Sequence, residues 1–206
     1  STMSKQNLDQ AVRIIGGNWR SRKVSFAEHA EIRPTPARIR ETLFNWLQYH
    51  VAGARCLELY AGSGILSLEA LSRGAQQVTL VEKSGLVCHH LRETYAAFAT
   101  DPSTFECHNK TAREFLEQSA ADSPYDLIFL DPPFGLGALQ DLLPRLVAKQ
   151  LVADQALVYI ESEFAVTQSI IPPDWEIHRQ KRAGSVHYCL CRQRLIDEIV
   201  NPASLG

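Results

Sequence analysis

The pattern that most constrains this chain begins near residue 55, where apolar stretches of strand length alternate with segments of helical periodicity. Predicted strands cover residues 56–60, 77–82, 105–108, 126–130 and 156–162, and predicted helices cover 64–73, 84–98, 112–118 and 136–150. Strands joined by helices of this length are typical of a parallel, doubly wound α/β sheet. Two more strands, 175–181 and 185–192, have no helix between them. We therefore expect seven strands that end in a hairpin with one antiparallel strand.

The segment before this pattern predicts a small N-terminal extension. Apolar residues on both sides of Gly16-Gly17 predict a β-hairpin with arms 12–15 and 23–26. Thr35 and Pro36 predict the N-cap and first residue of a helix that continues to about residue 50. Ser1-Thr2 resembles a remnant of the expression vector. The expected divisions are a flexible N-terminus, the extension, the main domain and a tail: 1–10, 11–53, 54–195 and 196–206.

Cysteine and histidine usage favours a cytoplasmic protein without a metal centre. The five cysteines are an odd number and form no C-x-x-C pair, which favours reduced, buried thiols in the cytosol. The seven histidines are scattered without ligand spacing, so no metal site is expected. The longest apolar runs have the length of strands, and no basic and apolar leader opens the sequence. Neither a membrane span nor a secretion signal is therefore expected.

Positive charge is concentrated near the N-terminus although the whole chain has a net charge of −2. Residues 10–40 contain seven basic residues and only two acidic ones, Glu28 and Glu31, and the other segments together have a negative net charge. Such a distribution favours a nucleic-acid contact, whereas a solvated surface with chance clustering is the alternative. The basic residues are Arg13, Arg20, Arg22, Lys23, Arg33, Arg38 and Arg40.

A glycine-containing turn follows the first strand of the main domain. Glycines let the backbone turn tightly and let a ligand approach it, and the helix start offers free N–H groups. A dinucleotide fingerprint needs a third glycine where Ser67 stands, and the acidic Glu58 would repel a pyrophosphate. S-adenosylmethionine (SAM) has an ammonium group and no phosphate, so it fits this turn better. The candidate residues are Glu58, Tyr60, Ala61, Gly62, Ser63 and Gly64.

Two later strand ends extend the predicted cofactor site. Glu82 closes the next strand 18 positions after Gly64, where an acidic residue can accept hydrogen bonds from both ribose hydroxyls. Lys83 follows it directly. Ala112 opens a helix after the third strand, where backbone groups can recognise an adenine ring. Thr111 can instead act only as the helix N-cap.

The most specific chemical signal is Asp131-Pro132-Pro133-Phe134, which follows the apolar run 127–130. Two prolines stiffen the backbone, so the Asp131 carboxylate and nearby carbonyls become acceptors directed into a crevice. A planar NH2 group fits these acceptors, and Phe134 offers a ring face to its base. Alignment of this nitrogen with an activated methyl group can contribute roughly 7–11 kcal/mol, and Asp131 can accept the released proton.

These residues resemble the RsmD family of class I SAM-dependent methyltransferases. The order E-x-x-A-G-S-G, acidic strand end and D-P-P-F is similar to enzymes that modify exocyclic amines. Three further motifs narrow the resemblance to RsmD: R-I-I-G-G-N-W-R-S-R at 13–22, R-P-T-x-x-R-x-R-E-T-L-F-N-W at 33–46 and L-E-A-L-S-R at 68–73. The resemblance implies a Rossmann-like methyltransferase that modifies the N2 amine of a guanine in bacterial 16S ribosomal RNA.

By position, the resemblance implies that Glu58 to Gly64, Glu82 and Ala112 hold SAM and that Asp131 to Phe134 hold the guanine amine. The seven basic residues are then expected to include the RNA contacts. Two positions depart from the family pattern, since Ser21 stands where glycine is usual and Thr111 stands where related enzymes often carry Asn or Asp. The implied partner is 16S RNA, within the small subunit or an assembly intermediate, and a monomer is expected.

Three other functions are compatible with parts of this pattern. An adenine-N6 DNA or RNA methyltransferase often carries a similar D-P-P-[YF] corner, but a DNA enzyme usually needs a larger target-recognition domain. A nucleotide-binding oxidoreductase is disfavoured by Ser67 and by the lack of a second dinucleotide half. A catalytically silent RNA-binding module is disfavoured by the intact Asp131–Phe134 corner.

Overall fold

The computed structural model describes residues 12–26, 32–99, 101–120, 123–133 and 135–195. Within these ranges, nine strands and five helices alternate in the order that the sequence predicts for the main domain. The strands are β1 (Val12–Arg13), β2 (Lys23–Val24), β3 (Arg55–Leu59), β4 (Gln77–Glu82), β5 (Phe105–Asn109), β6 (Tyr125–Leu130), β7 (Val152–Ser162), β8 (Trp175–Ala183) and β9 (Val186–Gln193). The helices are α1 (Ala37–Trp46), α2 (Ile65–Ser72), α3 (Gly85–Phe98), α4 (Ala112–Gln118) and α5 (Leu136–Ala148).

Seven strands form one sheet in the order β5-β4-β3-β6-β7-β9-β8. Neighbours from β5 to β7 pair in parallel, whereas β9 runs antiparallel to both β7 and β8. This topology confirms the predicted Rossmann-like fold with one antiparallel strand. The strand β7 begins at Val152 rather than near residue 156. The sequence prediction missed its first residues because Asp154 and Gln155 interrupt the apolar pattern, beside an irregularity in the β6–β7 pairing.

Helices cover the sheet on both faces and bury two apolar layers. On one face, Leu43 of α1 and Leu68 of α2 pack in one cluster with Phe129 of β6. On the other face, Leu139 of α5 packs in a cluster with Leu57 of β3. Burial of each such side chain contributes roughly 1.5–3 kcal/mol, so the two layers fix the strand positions. None of the helices in the described ranges has the length and apolar character needed to cross a bilayer.

The predicted N-terminal hairpin is present but shorter than expected. The strands β1 and β2 pair over two residues each, and a 3₁₀ turn at Gly17–Trp19 lies between them. Ser21 adopts a left-handed φ of 68°, a conformation that glycine adopts without strain. This backbone conformation agrees with the glycine that the family resemblance implies at position 21.

The start of α1 differs from the prediction in its capping. Pro36 occupies the N-cap position, and no side chain caps the helix there. Thr35 instead donates its hydroxyl hydrogen to Oε1 of Glu161, at 3.2 Å. A local N-cap signal therefore could not predict this contact, because its partner lies 126 residues away in the sequence.

A buried carboxylate, Glu69 on α2, joins the N-terminal extension to the main domain. Its oxygens accept hydrogen bonds from the backbone N–H groups of Ile15 and Gly16, at 2.9 and 3.1 Å. They also pair with the guanidinium groups of Arg40 and Arg73, at 3.0 and 3.3 Å. Because Glu69 is fully buried, these four partners compensate for the loss of water around its charge.

We expect Glu69→Gln to lower the free energy of unfolding by about 3–5 kcal/mol, because the substitution leaves the Arg40 charge buried without its counter-ion. Urea titration followed by circular dichroism measures the change. The matched control is Glu117→Gln, which breaks an exposed ion pair with Arg113 at 3.2 Å. That control should cost less than about 1 kcal/mol. Equal effects of the two substitutions would contradict the assigned importance of Glu69.

Candidate active site

A cavity of about 800 Å³ opens at the carboxyl ends of β3, β4 and β6. Parallel strands of an open α/β sheet characteristically bind their ligands at this edge. Its volume lies in the range of small-molecule and cofactor sites, roughly 300–1,000 Å³. Ten of the predicted cofactor and catalytic residues line this cavity: Glu58, Tyr60, Ala61, Gly62, Ser63, Glu82, Lys83, Ala112, Asp131 and Pro133.

The glycine turn after β3 has an unusual backbone that brings the chain close to its neighbours. Tyr60, Gly62 and Gly64 all have left-handed φ values, of 58°, 54° and 67°. A Cβ atom at Gly64 would lie 2.7 Å from Cδ2 of Leu91, so a larger residue cannot fit without movement. The hydroxyl of Tyr95 donates to the carbonyl oxygen of Gly64 at 2.5 Å and holds the turn from α3.

Glu58 lies at the inner end of the cavity with 5% of its surface exposed. It accepts hydrogen bonds from the backbone N–H and the hydroxyl of Ser67, at 2.9 and 2.6 Å. Burial raises the pKa of Glu58 to about 7, although the Ser67 hydrogen bonds oppose the shift. A cation beside Glu58 would favour its charged form. The serine that replaces the third glycine of a dinucleotide motif therefore orients this carboxylate.

Glu82 ties two loops of the cavity together. Its Oε1 accepts from the Gly62 N–H at 3.3 Å, and its Oε2 accepts from the Ser84 N–H at 2.7 Å. A carboxylate has about four acceptor positions, so lone pairs remain for a ligand. After the neighbouring strand β5, Thr111 caps α4 in a capping box with Glu114, which confirms the N-cap interpretation. Ala112 is buried and lines the cavity.

The Asp131 corner begins directly after β6. Asp131 and Pro133 line the cavity, whereas Pro132 is buried. The predicted ring of Phe134 lies outside the described residues, so its role stays a prediction. Because β3 and β6 are neighbours, Asp131 and the Glu58 end of the cavity belong to one continuous space.

The structure adds Glu161, which the sequence reasoning did not select. Leu130 and Ile160 are paired, so Asp131 and Glu161 are the next positions on β6 and β7. Glu161 is only 8% exposed and accepts hydrogen bonds from Tyr159 Oη at 2.7 Å and from Thr35 at 3.2 Å. An acidic residue after the apolar run 157–160 is the signal in the sequence that marks this position.

Three carboxylates thus share one face of three adjacent strands. Glu58 pairs with Phe129, which lies two positions before Asp131 and pairs with Tyr159. Residues two apart point to the same face of a sheet, so Glu58, Asp131 and Glu161 face one way. Asp131 remains partly exposed, yet burial raises its pKa to about 8, with further contributions from the charge and hydrogen bond of Glu161.

The predicted basic residues do not form a single patch. Arg33 lines the cavity, and Arg38 is exposed on the first turn of α1. Cζ of Arg22 lies 3.9 Å from the centroid of the Phe98 ring, at the far end of α3. Since α3 rises about 1.5 Å per residue, this contact is about 20 Å along the helix from the cavity edge. The remaining exposed basic residues of the hairpin are Arg13, Arg20 and Lys23.

The prediction that Arg40 contacts RNA is wrong. Arg40 is 2% exposed, and its guanidinium donates to the carbonyl oxygens of Thr35 and Arg13 and to Glu69. Burial lowers the pKa of Arg40, and the charge of Glu69 opposes that shift. The role of Arg40 is therefore structural, because its N–H donors are used by the N-terminal extension and by Glu69 and are not available to RNA.

The parallel sheet, the glycine turn after β3 and the acidic end of β4 define a class I SAM-dependent methyltransferase. The cavity fits this cofactor, because it combines a buried carboxylate at Glu58 with acceptors at Glu82. The family described as Conserved hypothetical protein 95 matches residues 12–192. The protein belongs to this family, the RsmD methyltransferases.

Relatives in the family span nearly the same length. The Escherichia coli K12 protein "Ribosomal RNA small subunit methyltransferase D" is 41% identical over 87% of this chain and 88% of its own length. A Haemophilus influenzae protein of the same name is 35% identical over 89% of this chain and 95% of its own. The solved structure of Escherichia coli yhhF superposes with a TM-score of 0.79 at 40% identity, and covers 89% of this chain and 98% of that one.

The raised pKa of Asp131 predicts a pH-dependent rate. If only ionised Asp131 accepts the amine hydrogens, methyl transfer should rise with pH, with a midpoint no higher than about 8, because the bound cationic cofactor favours the ionised carboxylate. In Glu161→Gln the neighbouring negative charge is absent, so the midpoint should move about 1 pH unit lower. Single-turnover rates between pH 5.5 and 9.5 measure this shift.

The control for that experiment is Glu163→Gln, which changes an exposed carboxylate two positions further along the chain. Its pH midpoint should match that of the wild type. A midpoint for Glu161→Gln that also stays at the wild-type value would show that Glu161 does not set the protonation of Asp131.

Proposed function

We propose that this protein transfers the methyl group of SAM to the N2 amine of a guanine in 16S ribosomal RNA. The observation that carries the proposal is the position of Asp131 in the same cavity as Glu58 and the glycine turn. An acceptor for an amine therefore lies within reach of the expected cofactor. The printed names of the relatives support an RNA of the small ribosomal subunit. The choice of guanine N2 rests on the family resemblance of the N-terminal motifs.

Several residues of the cavity are suited to hold the cofactor. When bound, SAM supplies a methyl group that its sulfonium activates for transfer. The Glu58 carboxylate would bind the ammonium group, and this cation would keep Glu58 ionised despite its burial. Glu82 would accept from the ribose hydroxyls while it holds the Gly62 loop. The backbone of Ala112 would face the adenine, and Lys83 would lie beside the ribose.

Asp131 would orient the target amine and then accept its proton. The lone pair of an amine on a base is delocalised into the ring, so the amine is a poor nucleophile. Asp131 and a backbone carbonyl of the stiff Pro132-Pro133 corner would hold the two amine hydrogens and direct the lone pair towards the methyl group. Transfer forms the N–C bond and breaks the S–C bond, and the released proton goes to Asp131. Its raised pKa makes the ionised form of Asp131 a stronger base than an ordinary carboxylate, and the bound cationic cofactor would favour that ionised form.

The wider setting of the substrate belongs to the same proposal. We infer that the 16S RNA is bound within the small subunit or an assembly intermediate, by a monomeric protein in the cytoplasm. The N-terminal extension, residues 11–53, would face the RNA. The buried Glu69 cluster supports this arrangement because it fixes the extension rigidly against α2.

The function is tested by incubating the protein with labelled SAM and, separately, with 16S RNA, small subunits and DNA. Nucleoside mass spectrometry then identifies the labelled product. We expect N2-methylguanosine from the RNA or the subunits only. Label in DNA, or on N6 of adenine, would contradict the proposal.

Replacement of Asp131 by Ala should lower the single-turnover rate by about 10²–10⁴-fold, because the amine loses its acceptor and base. Affinity for SAM, measured by calorimetry, should stay within about threefold of the wild type. The control Asp154→Asn changes an exposed carboxylate near the start of β7 and should keep the full rate. A normal rate for Asp131→Ala would exclude the proposed role of this corner.

Replacement of Arg20 and Arg22 by Gln should weaken RNA binding, because two phosphate contacts would be lost. The slope of log Kd against log salt concentration should fall by about 1.4, or about 0.7 for each contact. Fluorescence anisotropy with labelled RNA measures both quantities. The control pair Arg145→Gln and Lys149→Gln removes the same charge from the end of α5. Identical salt slopes for the wild type and the Arg20/Arg22 variant would place the RNA surface elsewhere.

A further inference from the structure

The turn between β8 and β9 lies at the same edge of the sheet as the cavity. The strand β9 is antiparallel to both β7 and β8, so β8 runs in the direction of β6 and β7. The pairing of Ser162 with His187 places the start of β9 beside the carboxyl end of β7. The Gly184-Ser185 turn is therefore about three strand spacings, or about 14 Å, from the end of β6 that carries Asp131.

This turn carries a concentration of positive charge that the N-terminal motifs did not include. Arg179, Lys181 and Arg182 are all exposed. Arg179 pairs with Leu190 and Lys181 with Tyr188, so both side chains project on the face that α1 partly covers. Arg182 donates from Nε to the carbonyl oxygen of Gly184 at 2.7 Å, which holds the turn in place.

Arg38 of α1 lies next to the same turn. Its Nη2 is 3.9 Å from the position that a Cβ atom at Gly184 would occupy. The contact between Thr35 and Glu161 places the start of α1 at the carboxyl edge of the sheet. We call Arg38, Arg179, Lys181 and Arg182 the hairpin patch. The four positive charges of the hairpin patch outnumber the exposed Glu163 after β7.

Charged residues also occur on edge strands simply because they prevent pairing with other sheets. That explanation accounts for charged residues along the whole strand, but it does not account for their concentration at one end. In β8 the first half contains the buried Trp175 and the paired Glu176–Arg192, at 2.8 Å. The basic residues occupy only the half that approaches the cavity, and Arg38 joins them from another element. This placement favours a ligand at the carboxyl edge.

A guanine buried in a helix or loop must leave its stack to enter a cavity, so its flanking backbone must be held. Arg22, at the far end of α3, lies too far from the cavity to hold the nucleotides adjacent to the target. Arg33 lines the cavity, and the hairpin patch lies on the side of β7 and β9. Guanidinium and ammonium groups match the phosphates of such a backbone.

We propose that the hairpin patch binds the RNA backbone next to the target nucleotide, on the β9–β8 side of the cavity. This inference rests on the proposed function, since it assigns a second surface to the same RNA substrate. Contacts to phosphate position the RNA without reading its sequence, so the patch contributes affinity and register rather than the choice of base.

The test compares wild type with the double variant Arg179→Gln and Lys181→Gln and with a triple variant that adds Arg182→Gln. The double variant keeps the Arg182–Gly184 hydrogen bond, so it tests the patch even if the triple variant folds poorly. Loss of two phosphate contacts should lower the salt slope of RNA binding by about 1.4. The KM for RNA should rise about tenfold, while kcat at saturating RNA and SAM affinity stay unchanged. The control is again Arg145→Gln with Lys149→Gln.

An unchanged salt slope and unchanged KM in the double variant would overturn the proposal. A higher KM for small subunits with unaltered affinity for naked RNA would also overturn it, because the patch would then bind a protein component. If the wild type transfers no methyl group to any RNA, the proposed function fails. The anisotropy measurement with RNA alone needs no turnover, so it still decides whether the hairpin patch binds RNA.

Discussion

Parallel pairing of β3, β6 and β7 is the constraint on which the site depends. It aligns the carboxyl ends of the three strands, so Glu58, Asp131 and Glu161 face one way although 103 positions separate the first from the last. Burial raises the pKa of Asp131 to about 8, and repulsion from the negative charges of Glu161 and Glu58 adds to this shift. A cationic cofactor relieves this repulsion. The fold therefore favours a positively charged ligand before any RNA arrives.

The N-terminal extension is linked to this carboxylate face at two points. Glu69 binds the backbone at Ile15 and Gly16, and Arg40 connects Glu69 to the carbonyl oxygen of Thr35. The hydroxyl of Thr35 then reaches Glu161, next to Asp131. A continuous chain of buried polar contacts thus runs from the extension that is proposed to face the RNA to the proposed catalytic carboxylate. Such networks fix one geometry when all members have partners.

The sequence predicted the sheet well because apolar runs and glycine turns are local signals. It placed the ends of β4 and β6 correctly and the end of β3 to within one residue, and with them most of the residues that line the cavity. It could not identify Arg40 as buried, because its partner Glu69 lies 29 residues away and becomes adjacent only in the fold. The position of Glu161 beside Asp131 likewise depends on the β6–β7 register. The basic half of β8 lies near the cavity only because of the order and direction of β7, β9 and β8 in the sheet. Non-local pairing explains each of these misses.

A crystal structure of the protein with S-adenosylhomocysteine tests the central claim most directly. The account predicts that the sulfur lies in the cavity between Glu58 and Asp131, with the ribose at Glu82. One methyl group and one amine nitrogen must fit between the sulfur and the Asp131 carboxylate, which requires about 6–8 Å. Ligand density outside this cavity, or a sulfur that points away from Asp131, would contradict the account.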